Sequence, residues 1–224
     1  MERVFCLLIG YAFGLFQTAY IYGRLKGIDI RQHGSGNAGS TNTLRILGKK
    51  AGAIVLFGDI IKCMLAIFVC EFLFGLANPE ILYLVKIYAA AGAILGHNFP
   101  FYLGFKGGKG IAATGGLIFA FHPWFIPVGV TLFFGNFFIT HYVSVGSLLV
   151  YVGFMTQLVI MGQAGSFEMP APHLYEMYFV SFLLAVMAFY KHRENIMRLL
   201  KGTERKTYLG SKNKVVSKDQ RKES

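Results

Sequence analysis

The chain has 224 residues, 22 Lys and Arg against 11 Asp and Glu, and a mean hydropathy of +0.51. Hydrophobic residues make up 54% of it and charged residues only 15%, whereas soluble domains carry about 25% charged residues. This composition excludes a disordered chain and argues against a soluble globule. The length suits one bundle of about six or seven membrane helices with short loops.

Six apolar runs follow one another along the sequence: Val4–Gly23, Ala51–Leu76, Ile81–Gly96, Gly110–Thr140, Val143–Gly162 and Leu174–Tyr190. The fourth run would be ~46 Å long as a single helix, which exceeds the ~30 Å hydrocarbon core of a membrane. His122-Pro123-Trp124 lies near its middle and favours a break into two short spans. The sequence therefore predicts an all-α polytopic membrane protein, a bundle of seven transmembrane helices.

The distribution of positive charge predicts the orientation of this bundle. With seven spans and the N-terminus outside, the inner segments 24–50, 97–109, 141–142 and 191–224 hold six, two, none and eleven Lys and Arg. That is 19 of the 22, as the positive-inside rule requires. Six spans would leave the basic C-terminal segment outside. We therefore expect a cytoplasmic C-terminus, and we interpret the basic excess as topology rather than as a nucleic-acid site.

The sequence shows no pattern typical of a disulfide framework, a metal site or a cofactor site. The three cysteines lie in apolar runs, and none of the six histidines has metal-ligand spacing. Gly34–Gly39 satisfies a dinucleotide-binding string, but it follows no predicted strand. The loop around Lys109 resembles a phosphate-binding P-loop, yet it has Leu103 where the first glycine belongs and Gly110 where a hydroxyl belongs. No nucleophile elbow is present.

Three polar stretches, residues 34–45, 96–110 and 191–204, fall on the predicted cytoplasmic face. Glycine-rich loops allow successive backbone N–H groups to converge on an anion, and a following helix N-terminus adds to the attraction. Arginine and lysine near such loops are typical of phosphate binding. The pattern therefore predicts two anion sites, or one long site for a polyanion.

Several polar side chains carry alternative interpretations from spacing alone. His192, Asn195 and Arg198 lie on one helical face, which suits either a solvated helix end or a site. Asp59 and Lys62, also one helical turn apart, form either a buried ion pair or a contact with substrate. Ser144 and Ser147 could form hydrogen bonds with their own helix backbone or with a ligand.

The three stretches resemble the cytoplasmic motifs of the bacterial acyl-phosphate:glycerol-3-phosphate acyltransferases, the PlsY family. The matching residues of the first stretch are Ser35, Gly36, Asn37, Gly39, Thr41, Asn42 and Arg45. Those of the second are Gly96, His97, Pro100 and Phe105-Lys106-Gly107-Gly108-Lys109-Gly110. Those of the third are His192, Asn195, Ile196, Arg198, Leu199, Gly202, Thr203 and Glu204. The chain departs from the family pattern at His141, where arginine is common, and at Ala113, where threonine is common.

The resemblance implies fatty acyl transfer from acyl phosphate to the 1-hydroxyl of glycerol 3-phosphate, the first acylation step of phospholipid synthesis. The products are lysophosphatidic acid and phosphate, and neither a cofactor nor a metal is needed. It implies catalytic roles for His192, Asn195 and Ser35. The implied phosphate-binding residues are Gly36, Asn37, Gly39, Thr41, Asn42, Arg45, His97, Lys106, Gly107, Gly108, Lys109 and Ser144.

In this interpretation the Ser35–Asn42 loop holds the phosphate of the donor, while Arg45, Lys106 and Ser144 hold glycerol 3-phosphate. The proton acceptor is either His192 or the phosphate of the donor. A transporter of a small phosphate ester or anion is the alternative function. We expect a single domain over residues 1–206, a flexible basic tail over residues 207–224, and a bacterial inner-membrane location with the site facing the cytoplasm, in contact with membrane lipid.

Overall fold

The computed structural model describes residues 1–209, and the regular elements within that range are helical. The α-helices in chain order are α1 (Glu2–Gly14), α2 (Thr18–Leu25), α3 (Ser40–Leu47), α4 (Lys49–Cys70), α5 (Leu82–Asn98), α6 (Ile111–Phe121), α7 (Phe125–Val130), α8 (Asn136–Thr140), α9 (Val143–Gln163), α10 (Ala171–Lys191) and α11 (Arg193–Leu200). Two π-helical segments, Glu71–Gly75 and Thr131–Gly135, extend α4 and join α7 to α8.

Five helical stretches of the described chain are long and apolar enough to cross a membrane: Glu2–Leu25, Lys49–Gly75, Pro79–Leu103, Val143–Gln163 and Ala171–Lys191. Two shorter apolar stretches, Ile111–Phe121 and Phe125–Thr140, lie between the third and the fourth. The predicted break at His122-Pro123-Trp124 is confirmed, since α6 ends and α7 begins on either side of it.

The first apolar run is not the single continuous helix that was predicted over Val4–Gly23. It is interrupted between α1 and α2, where the backbone leaves helical geometry at Gln17. The freed carbonyl groups of Gly14 and Phe16 accept hydrogen bonds from the ammonium of Lys62, at 3.4 and 2.7 Å. The break is stable because buried donors replace the missing helical hydrogen bonds.

A second buried lysine stabilises the end of α6. Lys86 Nζ lies 3.4 and 3.5 Å from the carbonyl oxygens of Ala120 and Phe121, the last residues of that helix. It also pairs with Glu71 at 3.2 Å. Charges within an apolar run are costly unless they are paired. These contacts account for the presence of both charges and for the sharp end of α6 before His122.

Helix α5 is the centre of the bundle and packs most closely against α1. Small residues make this approach possible, because a Cβ added at Gly92 would lie 2.1 Å from the carbonyl oxygen of Leu7, and one at Gly10 would lie 2.1 Å from that of Ala89. Close backbone contact across small residues is the usual basis of helix association in membranes. This packing fixes the C-terminal end of α5, which carries His97 and Asn98.

The ordered chain continues past Lys206, where the single domain was predicted to end. Thr207 is only 1% exposed, and its N–H donates to the carbonyl of His141 at 2.9 Å. Thr207 and its neighbour Tyr208, whose ring packs on His141, therefore contact the helical domain although they fall within the predicted tail. The rest of the predicted tail, residues 210–224, lies outside the described residues.

Substituting Gly92 by alanine is expected to destabilise the protein, because the new methyl group would collide with the backbone of α1. Overpacking of this kind costs about 1–3 kcal/mol. Gly135→Ala is the matched control, since a Cβ there meets no atom within 4 Å and alanine alone favours a helix. Thermal unfolding in detergent should give a lower midpoint for Gly92→Ala only; equal midpoints would contradict the close α1–α5 contact.

Candidate active site

The three polar stretches predicted to share one face converge in the fold. In the first stretch, Arg45 donates through Nη2 to the hydroxyl of Thr207 at 2.5 Å and to the carbonyl of Arg205 at 3.2 Å. In the second, Lys109 donates to the side-chain oxygen of Asn195, which belongs to the third. The predicted convergence is therefore confirmed, and these contacts define the candidate site.

A buried carboxylate, that of Glu204, joins the groups of this site. Its Oε1 accepts hydrogen bonds from Ser144 Oγ at 2.9 Å and from Asn195 Nδ2 at 2.7 Å. Its Oε2 accepts one from Arg198 Nε at 2.8 Å. Burial alone would raise the pKa of Glu204, but these donors lower it below its usual value. The carboxylate is thus ionised and ties α9 to α11.

Positive charge exceeds negative charge around this carboxylate. Burial and the nearby Arg198 lower the pKa of Lys109 to about 8. Burial, followed by repulsion from Arg205 and Arg198, lowers the pKa of Arg45. Four cations therefore surround Glu204 in a partly desolvated region. Electrostatic attraction is strong in such a region, so the site favours a further anion.

His192 lies at the junction of α10 and α11 and is 3% exposed. Its Nδ1 is 2.8 Å from the carbonyl oxygen of Ala188, a contact that requires a proton on Nδ1 and leaves the lone pair on Nε2. Burial lowers the pKa of His192 to about 4. The ring is therefore a neutral hydrogen-bond acceptor at Nε2 around neutral pH.

The first glycine-rich loop is held by its own hydrogen bonds. The amide oxygen of Asn42 accepts the N–H of Ser35 at 2.9 Å, and its amide nitrogen donates to the carbonyl of His33 at 2.9 Å. The N–H groups of Gly36 and Gly39 donate to carbonyl groups earlier in the same loop. Asn42 is buried and shapes the loop, so its expected direct contact with phosphate does not fit this geometry.

The second glycine-rich loop also uses its glycine N–H groups internally. Gly107 donates to the carbonyl of Asn98 at 3.3 Å, and Gly108 donates to that of His97 at 3.1 Å. In this structure the N–H groups of Gly36, Gly39, Gly107 and Gly108 therefore donate within the protein, and their expected contact with an anion stays a prediction. The short loops satisfy their backbone groups within the protein before any ligand arrives.

The donors that remain lie where each loop enters a helix. Among these donors are the N–H groups of Asn37, Ala38, Lys109, Gly110 and the first turns of α3 and α6, which make no hydrogen bond within residues 1–209. A helix N-terminus carries partial positive charge and unpaired N–H groups. The two helix starts, rather than the glycines before them, are the candidate anion sites.

Four predicted site residues retain side chains that make no hydrogen bond in the described part of the chain. They are Ser35, Asn37, Thr41 and Lys106. Ser35 and Lys106 are exposed, so both are accessible to a substrate. Asn195, in contrast, is bound at both ends by Lys109 and Glu204, and it orients Lys109 in addition to any contact with substrate.

His97 occupies a different position from the one predicted for a phosphate ligand. It is 3% exposed, and its Nδ1 lies 2.9 Å from Lys62 Nζ and 3.6 Å from Asp59 Oδ1. Its Nε2 is covered by Gly108, where an added Cβ would approach within 2.1 Å. His97 therefore packs beneath Gly108 and supports the second loop. A direct contact between its ring and a phosphate does not fit this buried position. The buried Asp59–Lys62 ion pair is confirmed at 2.8 Å.

Two residues of the site were missed by the sequence reasoning, Glu204 and Thr207. Glu204 is part of the third motif, and a carboxylate that follows Arg198 and Lys201 was the signal that it balances these cations. Thr207 carries no such signal, because a threonine beyond the last motif has no distinctive spacing. Thr207 reaches the site only because the segment after α11 folds back toward Arg45 and His141.

Substituting Lys62 by methionine is expected to destabilise the protein by about 3–5 kcal/mol, since Asp59 would remain buried without its partner. The carbonyl groups of Gly14 and Phe16 would also lose their donor. Adding Asp59→Asn should recover part of the loss, and Lys50→Met, on an exposed lysine, serves as the matched control. Unfolding midpoints would measure this; a fully stable Lys62→Met variant would contradict the buried network.

Known proteins are similar to this chain in sequence and in fold. A family model described as glycerol-3-phosphate acyltransferase matches residues 4–202. A glycerol-3-phosphate acyltransferase of Halalkalibacterium halodurans is 39% identical over 208 residues, which cover 92% of this chain and 96% of that relative. One of Clostridioides difficile is 40% identical over 202 residues, covering 89% and 92%.

The fold is similar to crystal structures of PlsY (YgiH), described as an integral membrane glycerol 3-phosphate acyltransferase. The glycerol 3-phosphate form is 31% identical with a TM-score of 0.78, covering 96% of this chain and 99% of that one. The lysophosphatidic acid form is 30% identical with a TM-score of 0.75, covering 93% and 97%. Sequence, fold and the converging cationic motifs together show that this chain belongs to the glycerol-3-phosphate acyltransferase family.

Proposed function

We propose that this enzyme transfers a fatty acyl group from acyl phosphate to the 1-hydroxyl of glycerol 3-phosphate, releasing lysophosphatidic acid and inorganic phosphate. The observation that carries the proposal is the convergence of Arg45, Lys109 and Arg198 around Glu204, with Lys109 next to the start of α6. Both substrates bear phosphate, so two anion sites are needed. An acyl phosphate is already activated, and the enzyme needs no covalent nucleophile.

The acceptor phosphate binds beside Arg45 and Lys106, and Ser144 becomes a further donor by turning its one hydroxyl proton from Glu204 to the phosphate. Arg45 keeps the N–H groups of Nε and Nη1 available for a phosphate, and Lys106 is exposed and unpaired within residues 1–209. Ser144 already donates to Glu204 at 2.9 Å. The phosphate of the donor binds at the start of α3, where Ser35 and Thr41 offer hydroxyl groups close to the free backbone N–H groups.

His192 orients the attacking hydroxyl by accepting a hydrogen bond at Nε2. A pKa of about 4 makes its imidazole a weak base, so it does not retain the proton. The hydroxyl oxygen forms the new ester bond to the acyl carbon as the bond from that carbon to the phosphate oxygen breaks. The departing phosphate takes the hydroxyl proton, and catalysis is assisted by the substrate itself.

Lys109 supplies positive charge where the reaction develops negative charge. Asn195 holds its ammonium group in place, and partial burial strengthens its interaction with the acyl phosphate oxygens. Holding two anionic substrates together against their mutual repulsion provides much of the rate gain.

The site faces the cytoplasm in a seven-span arrangement within the bacterial inner membrane. The two short apolar stretches, Ile111–Phe121 and Phe125–Thr140, act as two spans joined at the break, which places the N-terminus outside and the C-terminus inside. The positive charges of the inner segments support this orientation. The cytoplasm is also where soluble glycerol 3-phosphate is available to the enzyme.

The donor is tested with purified enzyme, labelled glycerol 3-phosphate and three donors supplied separately: acyl phosphate, acyl-CoA and acyl carrier protein. Product is expected from acyl phosphate alone. His192→Ala should lower kcat about 10²-fold, because the attacking hydroxyl loses the acceptor that orients it, while Arg193→Ala, its exposed neighbour, serves as the control and stays near the parent. Product from acyl-CoA alone would contradict the proposed donor.

The kinetics with respect to the acyl phosphate donor are expected to depend on the charge of Lys109. Its pKa of about 8 means that the ammonium is charged below pH 8 and neutral above it. The value of kcat/KM should therefore fall as the pH rises through about 8, approaching tenfold per pH unit. Lys109→Arg keeps its charge and should move this fall to higher pH. An unchanged profile in that variant would show that another group titrates.

A further inference from the structure

A short segment after α11 crosses the candidate site, and we name residues 203–208 the C-terminal strap. It begins one residue beyond the stretch that the family model matches, which ends at residue 202. Glu204 connects the strap to the site, because its carboxylate accepts hydrogen bonds from the side chains of Ser144, Asn195 and Arg198. The strap then continues to Thr207, which is almost fully buried.

The backbone of the turn between α8 and α9 anchors the strap at Thr207. The N–H of Thr207 donates to the carbonyl of His141 at 2.9 Å. His141 has a left-handed backbone conformation, with φ of 62°, and its ring packs 4.7 Å from that of Tyr208. Lys206 lies over the ring of Tyr142 at 5.5 Å. These contacts hold Thr207 in one place relative to the bundle.

The anchored strap accepts two hydrogen bonds from one nitrogen of Arg45. Its Nη2 donates to the Thr207 hydroxyl at 2.5 Å and to the Arg205 carbonyl at 3.2 Å. The Nε and Nη1 groups of Arg45 make no hydrogen bond within residues 1–209. A guanidinium has five donors in a rigid plane, so fixing Nη2 orients the whole group and leaves the N–H groups of Nε and Nη1 free to donate single hydrogen bonds.

We propose that Thr207 is a positioning residue for the acceptor substrate, which orients Arg45 so that a free N–H group of Nη1 or Nε meets the phosphate of glycerol 3-phosphate. The inference rests on the phosphate-binding role proposed for Arg45. Thr207 acts through the guanidinium and does not touch the substrate. Side chains that lock the rotamer of a binding residue reduce the entropy that must be lost when the ligand binds.

Thr207→Val tests this directly, because valine keeps the shape of threonine and removes only the hydroxyl. We expect the KM for glycerol 3-phosphate to rise about 5–10-fold, which corresponds to the net contribution of one intramolecular hydrogen bond, with kcat and the unfolding midpoint nearly unchanged. Thr207→Ser should restore the KM. Thr156→Val, on the exposed side of α9, is the matched control and should leave all three quantities at parent values.

A double-mutant cycle with Arg45→Lys separates positioning from a local structural effect. Arg45→Lys alone should raise the KM for glycerol 3-phosphate, and adding Thr207→Val to it should raise the KM no further, since the two residues act as one unit. Multiplicative effects in the double variant would overturn the inference. A lower unfolding midpoint in Thr207→Val without a change in KM would overturn it as well.

The same cycle distinguishes failure of this inference from failure of the proposed phosphate site. If Arg45→Lys leaves the KM for glycerol 3-phosphate unchanged, the role of Arg45 is wrong and the inference falls with it. If Arg45→Lys raises the KM and Thr207→Val does not, the phosphate site stands and only the positioning role of Thr207 is wrong.

Discussion

The bundle depends on two buried lysines that satisfy backbone carbonyl groups where membrane helices break. No water is available within hydrocarbon to bind a free carbonyl, so each break needs an internal donor. Lys62 serves the break between α1 and α2, and Lys86 serves the end of α6; each is paired with a carboxylate from α4 or its π-helical extension. The charges that look misplaced in an apolar sequence are thus what permit short helices to end inside the protein.

The hydrogen bonds and ion pair of Lys62 also connect the break between α1 and α2 to the candidate site. Asp59 and Lys62 contact His97, and the carbonyl of His97 accepts the N–H of Gly108 in the second loop. The loop is therefore held by buried groups of the bundle and not by the ligand. Preorganisation of this kind is important for an enzyme that must bring two anions together, because binding energy is not spent on ordering the loop.

Sequence reasoning could predict the helical class, the break near Pro123, the buried Asp59–Lys62 pair and the convergence of three polar stretches, since each depends on local pattern or charge. It could not assign the individual hydrogen bonds of the loops. A glycine-rich string is compatible with N–H groups that face a ligand or the protein, and only the path of α5 shows that Gly107 and Gly108 face His97 and Asn98. The interruption near Gln17 was likewise hidden, because no proline marks it and its cause lies on α4.

The strap has a consequence for how the enzyme is made. Glu204 and Thr207 follow α10 and α11 in the chain, while Arg45 and Lys109 precede them by many residues. Chains emerge from the ribosome N-terminus first, so the early cations are synthesised and inserted well before their balancing carboxylate exists. The site is completed only when the last segment folds back over helices that are already in the membrane. A partly synthesised chain therefore cannot assemble the complete site and begin acylation while it is still being inserted.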